Sequence, residues 1–294
     1  MRHLFSLRRL LATFVAVLWV AQANAAPAAL QLTVYNPGSE ALFPVSSVIV
    51  SGQHDAILVD AQFGKAQSEQ VVEKLRASGK HLTTIYISHG DPDYYFGLDT
   101  LVSAFPDARV VASAPTVAHI NSTKDAKLAH WGPQMGADKP QRLIVPQVLE
   151  GDRLMLEGQV LQVIGLDGPQ PDRSFVWIPS IRAVVGGILV AQNHHVWMAD
   201  TQSAQSRIDW LSGLQRIESL HPLTVVPGHF LGNQGSGLEA VRFTADYIRA
   251  FDEENARTGN AAELIAAMNK RYPGLAEESS LELGAKVIKG EIKW

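Results

Sequence analysis

Tyr86-Ile87-Ser88-His89-Gly90-Asp91-Pro92-Asp93-Tyr94-Tyr95-Phe96-Gly97 is the stretch on which the reading of this chain turns. Just ahead of it, Leu82 to Ile87 is β-branched and aromatic, which predicts a buried strand. Just after it, Gly97 to Phe105 has its apolar residues at helical spacing. The polar cluster therefore falls on a strand-to-helix loop whose backbone is turned by Gly90 and Pro92. His89, Asp91 and Asp93 alternate along that loop, with Tyr94 beside them. Side chains that alternate on an extended segment can converge on one point in front of it, and a single ion is one such point.

Working outward toward the N-terminus, Leu32 to Tyr35, Ser46 to Ser51 and Ala56 to Asp60 read as strands separated by Pro, Gly and Ser turns. Val71, Val72 and Leu75 give Ser68 to Ser78 a helical face. Strand, strand, strand, helix, strand is an α/β order. Asp60 ends a strand and suits a turn or an outer support of the loop. At the start, Arg2, Arg8 and Arg9 precede an apolar run from Leu10 to Ala21 and the small residues Ala23-Asn24-Ala25. This pattern predicts a signal peptide over residues 1–25 cut after Ala25, and hence a periplasmic or secreted protein. The apolar run falls short of the ~20 residues a membrane span needs, so no membrane association is expected after cleavage.

Composition narrows the classes. The chain has 294 residues, 46% of them apolar and 18% charged, as in an ordinary globular protein with one core. No cysteine is present, which excludes disulfides, thiolate ligands and a cysteine nucleophile. A formal net charge of -4, without a basic block after the leader, gives no sign of a nucleic-acid partner. A small-molecule substrate and a monomer or homodimer are the expectations that remain.

The His89 loop resembles the His-x-His-x-Asp-His signature of the metallo-β-lactamase superfamily, which lies on the same kind of loop and supplies ligands to two metal ions. His89 stands at the first His and Asp93 at the Asp, whereas Asp91 replaces the second His and Tyr94 the last. Val225-Val226-Pro227-Gly228-His229 is a second match, with His229 at the last metal-ligating His. The resemblance spans about Leu30 to Gly232. It implies a four-layer αββα sandwich over residues 30–236, followed by a C-terminal helical extension, 237–294, that packs on the core.

Two further positions follow from the same resemblance. The third His of the first metal site lies about seven residues before a Ser that opens a strand; counting back from Ser174 gives Asp167, with Asp172 as the alternative. Gly187 stands where the family carries the Asp that bridges the ions, and Asp200 or His195 are the groups near enough in sequence to compensate. Asp200 read without the resemblance is an N-cap for a packing helix from Ser203 to Leu220. Between the motifs, Asn121 to Pro146 has little periodicity and is read as a cover over the site, with His119 and His130 as surface histidines.

The resemblance thus implies a metal-dependent hydrolase in which an ion activates water toward a small ester, lactone or amide. His89, Asp91, Asp167, His229 and Asp93 are its ligand set, Asp93 the general base when not a ligand, and Tyr94 the donor to the oxyanion. The resemblance implies a divalent metal, Zn first with Mn or Fe as alternatives, although carboxylates in place of imidazoles harden the site and shift preference toward Mn, Fe or Mg while still permitting Zn. Loss of the bridging Asp favours one ion over two. The alternative reading is a degenerate member of this fold that binds a ligand or partner without turnover.

Overall fold

In the computed structural model, residues 28–235 and 237–294 are described; the expected signal peptide lies outside them. β1 (Gln31–Tyr35), β2 (Ser47–Ser51), β3 (Asp55–Val59), β4 (His81–Ile87), β5 (Arg109–Ala112) and β6 (Gln147–Val148) form one six-stranded sheet in sequence order. β1, β2 and β3 are joined antiparallel, and β3 to β6 run parallel. Parallel neighbours need a crossover, and the helices supply it. α1 (Lys65–Ser78) leads to β4, α2 (Pro92–Tyr95) and α3 (Leu98–Ala104) lead to β5, and α4 (Ala114–Met135) leads toward β6.

β7 (Arg153–Leu156), β8 (Gln159–Ile164), β9 (Phe175–Ile178), β10 (Ala183–Val185) and β12 (Thr224–Val225) make a second sheet, in the order β12-β10-β9-β8-β7. β11 (Ala191–Gln192) and β13 (His229–Phe230) pair parallel as a short ribbon beside it.

The strand period sorts the apolar residues into layers. On β2 and β3, Val48, Val50, Ile57 and Val59 face the second sheet, meeting Leu161, Val163, Val176 and Val185. The intervening Ile49 and Leu58, with Ile85 and Ile87 of β4, face outward onto Val71, Leu75, Leu98 and Leu101 of the helices. A third cluster lies beyond the second sheet, where Phe175, Trp177 and Val184 meet α5 (Ala204–Ser219) and the helices α6 (Glu239–Arg257), α7 (Ala261–Arg271) and α8 (Glu278–Ile288). Three apolar layers between helix, sheet, sheet and helix define the four-layer αββα sandwich that the sequence implied. The C-terminal helices share that outer core through Val241, Ile248, Phe251, Leu264 and Leu281. Full burial of each such side chain contributes roughly 1.5–3 kcal/mol.

Two local expectations are corrected. The aperiodic cover is largely a helix, because α4 continues to Met135 with Pro133 near its end. Its buried residues are few, Thr116, Ile120 and Gly132, so the hydrophobic period that would have announced it is weak. Asp200 does not cap α5; the Ser203 side chain accepts from the Ser206 backbone N–H at 3.0 Å.

Candidate functional site

The site is built where β4 runs out. Asp60, at the end of β3, sits at φ 68°, in the left-handed region that Asp tolerates better than most residues. Its buried carboxylate accepts from the Ser88 backbone N–H at 2.8 Å and from the Ser88 hydroxyl at 2.7 Å. The Ser88 oxygen in turn accepts from the Gly187 backbone N–H at 2.7 Å. One carboxyl thus ties the first sheet, the His89 loop and the Gly186-Gly187 turn together. Burial pushes the Asp60 pKa up to about 7, against the Ser88 hydrogen bonds that pull it down.

Gly187 has no room to be anything else. Its φ is 82°, and a Cβ there would meet the Ser174 carbonyl oxygen at 2.3 Å. An aspartate bridging two ions from this position is excluded by the backbone itself. Gly228 is similarly confined, since its Cβ would meet the Gly187 carbonyl oxygen at 2.1 Å. That approach seats His229 against the His89 loop.

The expected residues fall into two groups. In the first, Asp91 holds the N-cap position of α2 but makes no cap bond with its side chain. Its carboxylate meets His89 Nε2 at 3.2 Å, accepts from Lys127 Nζ at 3.1 Å and lies 3.8 Å from His119 Nε2. His89 Nδ1 bonds the Asp172 backbone carbonyl at 3.1 Å. Burial opposes charge on His89 and on Asp91, yet their attraction prevails; the His89 pKa is raised and the Asp91 pKa falls far below the usual carboxylate range. Lys127, likewise desolvated, is held cationic by Asp91.

The second group is Asp93, His229 and Tyr94. His229 Nε2 and Asp93 Oδ2 are 2.6 Å apart, and the Tyr94 hydroxyl lies 3.3 Å from His229 Nδ1. Tyr94 has a single proton to give. The Gly187 carbonyl oxygen, 3.5 Å from the hydroxyl, and His229 Nδ1 are the two groups that compete for it, while His229 Nε2 faces Asp93. Burial, then the charge of Asp93, hold the Tyr94 pKa well above its ordinary value, so the phenol stays protonated.

The remaining expectations are corrected. Asp167 is not in the site: its side chain is 75% exposed and its carboxylate accepts from Arg216 Nη1 at 2.6 Å. The loop enters the centre through Asp172 instead, chiefly by a backbone carbonyl. His195 is buried against Tyr247, with Nδ1 2.9 Å from its hydroxyl, and does not line the cavity that its neighbour His194 lines. Asp200 reaches the pocket wall but accepts from the indole N–H groups of Trp197 and Trp294, each at 2.7 Å. Tyr94 is fully buried behind His229, and its hydroxyl faces His229 Nδ1 rather than the cavity where an oxyanion would form. His119 is half-buried beside Asp91 and Asp172 rather than free on the surface.

A narrow cavity of about 60 Å³ opens in front of these groups, lined by Asp91, Asp93, Lys127, His194 and His229. Its walls are aromatic, with Phe43 edge-on to Trp131 at 5.1 Å and Trp197 to Trp294 at 5.6 Å. His194 Nδ1 donates to the His195 carbonyl, leaving Nε2 a buried acceptor without a partner. Burial lowers its pKa to about 4, so that acceptor is present at neutral pH. Arg173, buried with its guanidinium 4.6 Å from the Trp210 ring centroid, is a further cation that nothing in the sequence announced.

Do these residues fit a metal ion? Among the described residues, no group of three or more His, Cys, Asp or Glu is arranged to hold one. Asp91 is committed to Lys127 and His89, Asp93 to His229, Asp167 to Arg216, and Gly187 brings no donor. The expected common ion, joined by His89, Asp91, Asp167 and His229, does not fit this arrangement.

Four layers of helix, sheet, sheet and helix, with a polar centre on the loops at one edge, define the class of protein. The sequence profile of the metallo-beta-lactamase superfamily matches residues 41–229. The chain belongs to that superfamily. It is similar to the metallo-beta-lactamase type 2 of Bacteroides fragilis, at 25% identity across 74% of this chain and 80% of that protein. An uncharacterized protein of Bacillus subtilis, YobT, is 29% identical across 34% of this chain, a match that spans only 39% of that protein. The solved metallo-beta-lactamase from Pontibacter korlensis aligns over 75% of this chain and 99% of its own, with TM-score 0.53 and 19% identity. The DIM-1 metallo-beta-lactamase aligns over 76% and 99%, with TM-score 0.52 and 18% identity. These likenesses are likenesses of fold.

Proposed function

We propose that this chain is a hydrolase of small esters, lactones or amides in which the Asp93 carboxylate, rather than a metal-bound hydroxide, activates the water. The superfamily is commonly hydrolytic and typically binds divalent metals such as zinc, which supports the reaction class. The observation that carries the catalytic reading is the 2.6 Å pairing of Asp93 with His229 at the cavity wall. His229 orients one carboxylate oxygen and Tyr94 orients His229. A water on the carboxylate gives its proton to Asp93 while its oxygen bonds to the substrate carbonyl carbon. As the C–O or C–N bond breaks, that proton passes to the leaving group. Lys127 is the cation lining the cavity and supplies charge opposite the developing oxyanion.

Turnover of an ester, lactone and amide panel by the mature protein, lost in Asp93→Asn, is the expected result. No turnover across the panel, together with retained ligand binding in Asp93→Asn, would instead support the alternative of a non-catalytic binding member. That alternative draws on Gly187 and on the Lys127 pairing with Asp91. Export through residues 1–25, and a monomeric or dimeric protein beyond the cytoplasm, belong to the same proposal. Intact mass of the secreted chain, beginning at Ala26, checks the first of these.

A further inference from the structure

Asp91 puts a carboxylate where the superfamily signature has its second His, which adds negative charge to the centre. A largely buried carboxylate needs a compensating charge, because leaving one unpaired costs several kcal/mol per ion in real proteins. Here the compensation comes from within. Lys127 Nζ lies 3.1 Å from Asp91 Oδ1, and His89 Nε2 lies 3.2 Å from Oδ2. Both carboxylate oxygens are thereby taken.

The lysine is positioned for this by its helix. His119, Thr123, Lys127 and Trp131 recur every four residues along α4, which makes them one face of it. That face turns toward α2: His119 stands by Asp91, Lys127 bonds it, and Trp131 lines the cavity. Lys127 Nζ also lies 5.9 Å from the Trp294 ring centroid, and its side chain is mostly buried at the cavity wall. A second fixed cation, Arg173, is buried immediately after Asp172, with one guanidinium nitrogen lacking a partner.

We propose that Lys127 is a built-in replacement for the metal ion: its ammonium occupies the Asp91 coordination sphere, and the chain is folded and charge-balanced there without a divalent cation. The inference concerns metal affinity and stability, and it stands or falls independently of whether the site turns over a substrate. It also assigns Asp91 and His89 a structural role that the ligand signature alone conceals.

The test is made on the full mature chain, with Lys127→Met and Lys127→Arg beside it. Each protein is equilibrated with Zn²⁺, Mn²⁺ or Fe²⁺, desalted and assayed by elemental analysis, and its Tm is followed with metal and with chelator. The wild type should retain substoichiometric metal and melt at the same temperature in all conditions. Lys127→Arg should behave as the wild type. Lys127→Met should melt lower by about 5–10 °C, as expected when one partner of a mostly buried pair is removed. Its affinity for at least one of the three ions should rise by about tenfold or more.

One equivalent of any ion bound tightly by the wild type would overturn the proposal. So would a Lys127→Met protein that melts lower without gaining metal affinity, because Lys127 would then be an ordinary ion-pair partner. Should Lys127→Met fail to fold, the wild-type and Lys127→Arg measurements still decide the matter, since stoichiometric metal in either contradicts it.

Discussion

The two ends of the His89 loop behave differently. On the Asp91 side, the carboxylate is paired with His89 and Lys127 and His89 with the Asp172 carbonyl, while His119 Nε2 is left without a hydrogen-bond partner. On the Asp93 side, one carboxylate oxygen is anchored by His229 and the group borders a cavity that also presents the unpartnered His194 Nε2. Two carboxylates separated by a single proline have thus taken on separate work. Asp91 is neutralised by two cationic partners, whereas Asp93, equally buried at the cavity wall, has His229 alone. The family signature, read as a ligand list, would treat both alike.

Breaking the reactive side gives the largest effect. Asp93→Asn keeps the shape and removes the base, and a positioned general base contributes about 10²- to 10⁴-fold to rate. We expect kcat/KM to fall by that factor with little change in Tm, measured by steady-state hydrolysis and thermal melts. A similar fall in Tm would move Asp93 to the structural side of the comparison.

The support beneath both sides is expected to show in the pH dependence of stability. Asp60 titrates at about 7 when folded, raised by burial, against about 3.9 for an unperturbed carboxyl. A raised folded pKa means the native state holds the proton more tightly. The contribution is complete below the unfolded value and is lost as pH climbs through the folded one, so stability should decline between about pH 4 and pH 7. The shift corresponds to a few kcal/mol, on the order expected from linkage. Asp60→Asn carries no charge in this range, and its denaturation free energy, followed from pH 4.5 to 7.5, should lack that slope.

How much of this was legible before the structure? The sheets were, because both faces of β2, of β3 and of the second half of β4 are buried and their β-branched runs are dense. The loop after β4 was legible from residue types alone, and His229 from the glycine beside it. Lys127 was not, since a lone lysine in an aperiodic stretch resembles a solvated charge; only the four-residue recurrence of His119, Thr123, Lys127 and Trp131 hinted at a common face. Arg173 left no trace, because its partner is the ring of Trp210, distant in sequence. His194 and His195 illustrate the limit in another way. Adjacent residues on extended backbone point in opposite directions, and composition does not say which of them faces the cavity.

A finer cut separates positioning from oxyanion stabilisation at Tyr94. If the phenol only fixes the His229 tautomer, Tyr94→Phe removes one hydrogen bond and leaves Nδ1 unpaired, a loss of about 1–2 kcal/mol or roughly tenfold in kcat. Loss of an oxyanion donor would cost about 10²- to 10³-fold instead.

The smallest expected effect is at Asp167, and it is informative for being small. Counting residues back from Ser174 assumed that the loop places a side chain where the family places one. The chain instead turns at Gly165, whose φ is 110°, and delivers the Asp172 carbonyl to His89. Asp167 is left in solvent with Arg216, and exposed pairs of that kind are worth about 0–1 kcal/mol. Asp167→Ala should therefore leave kcat/KM unchanged and move Tm by no more than a degree or two. A loss of activity there would show that Asp167 contributes to the reaction despite its exposed pairing with Arg216.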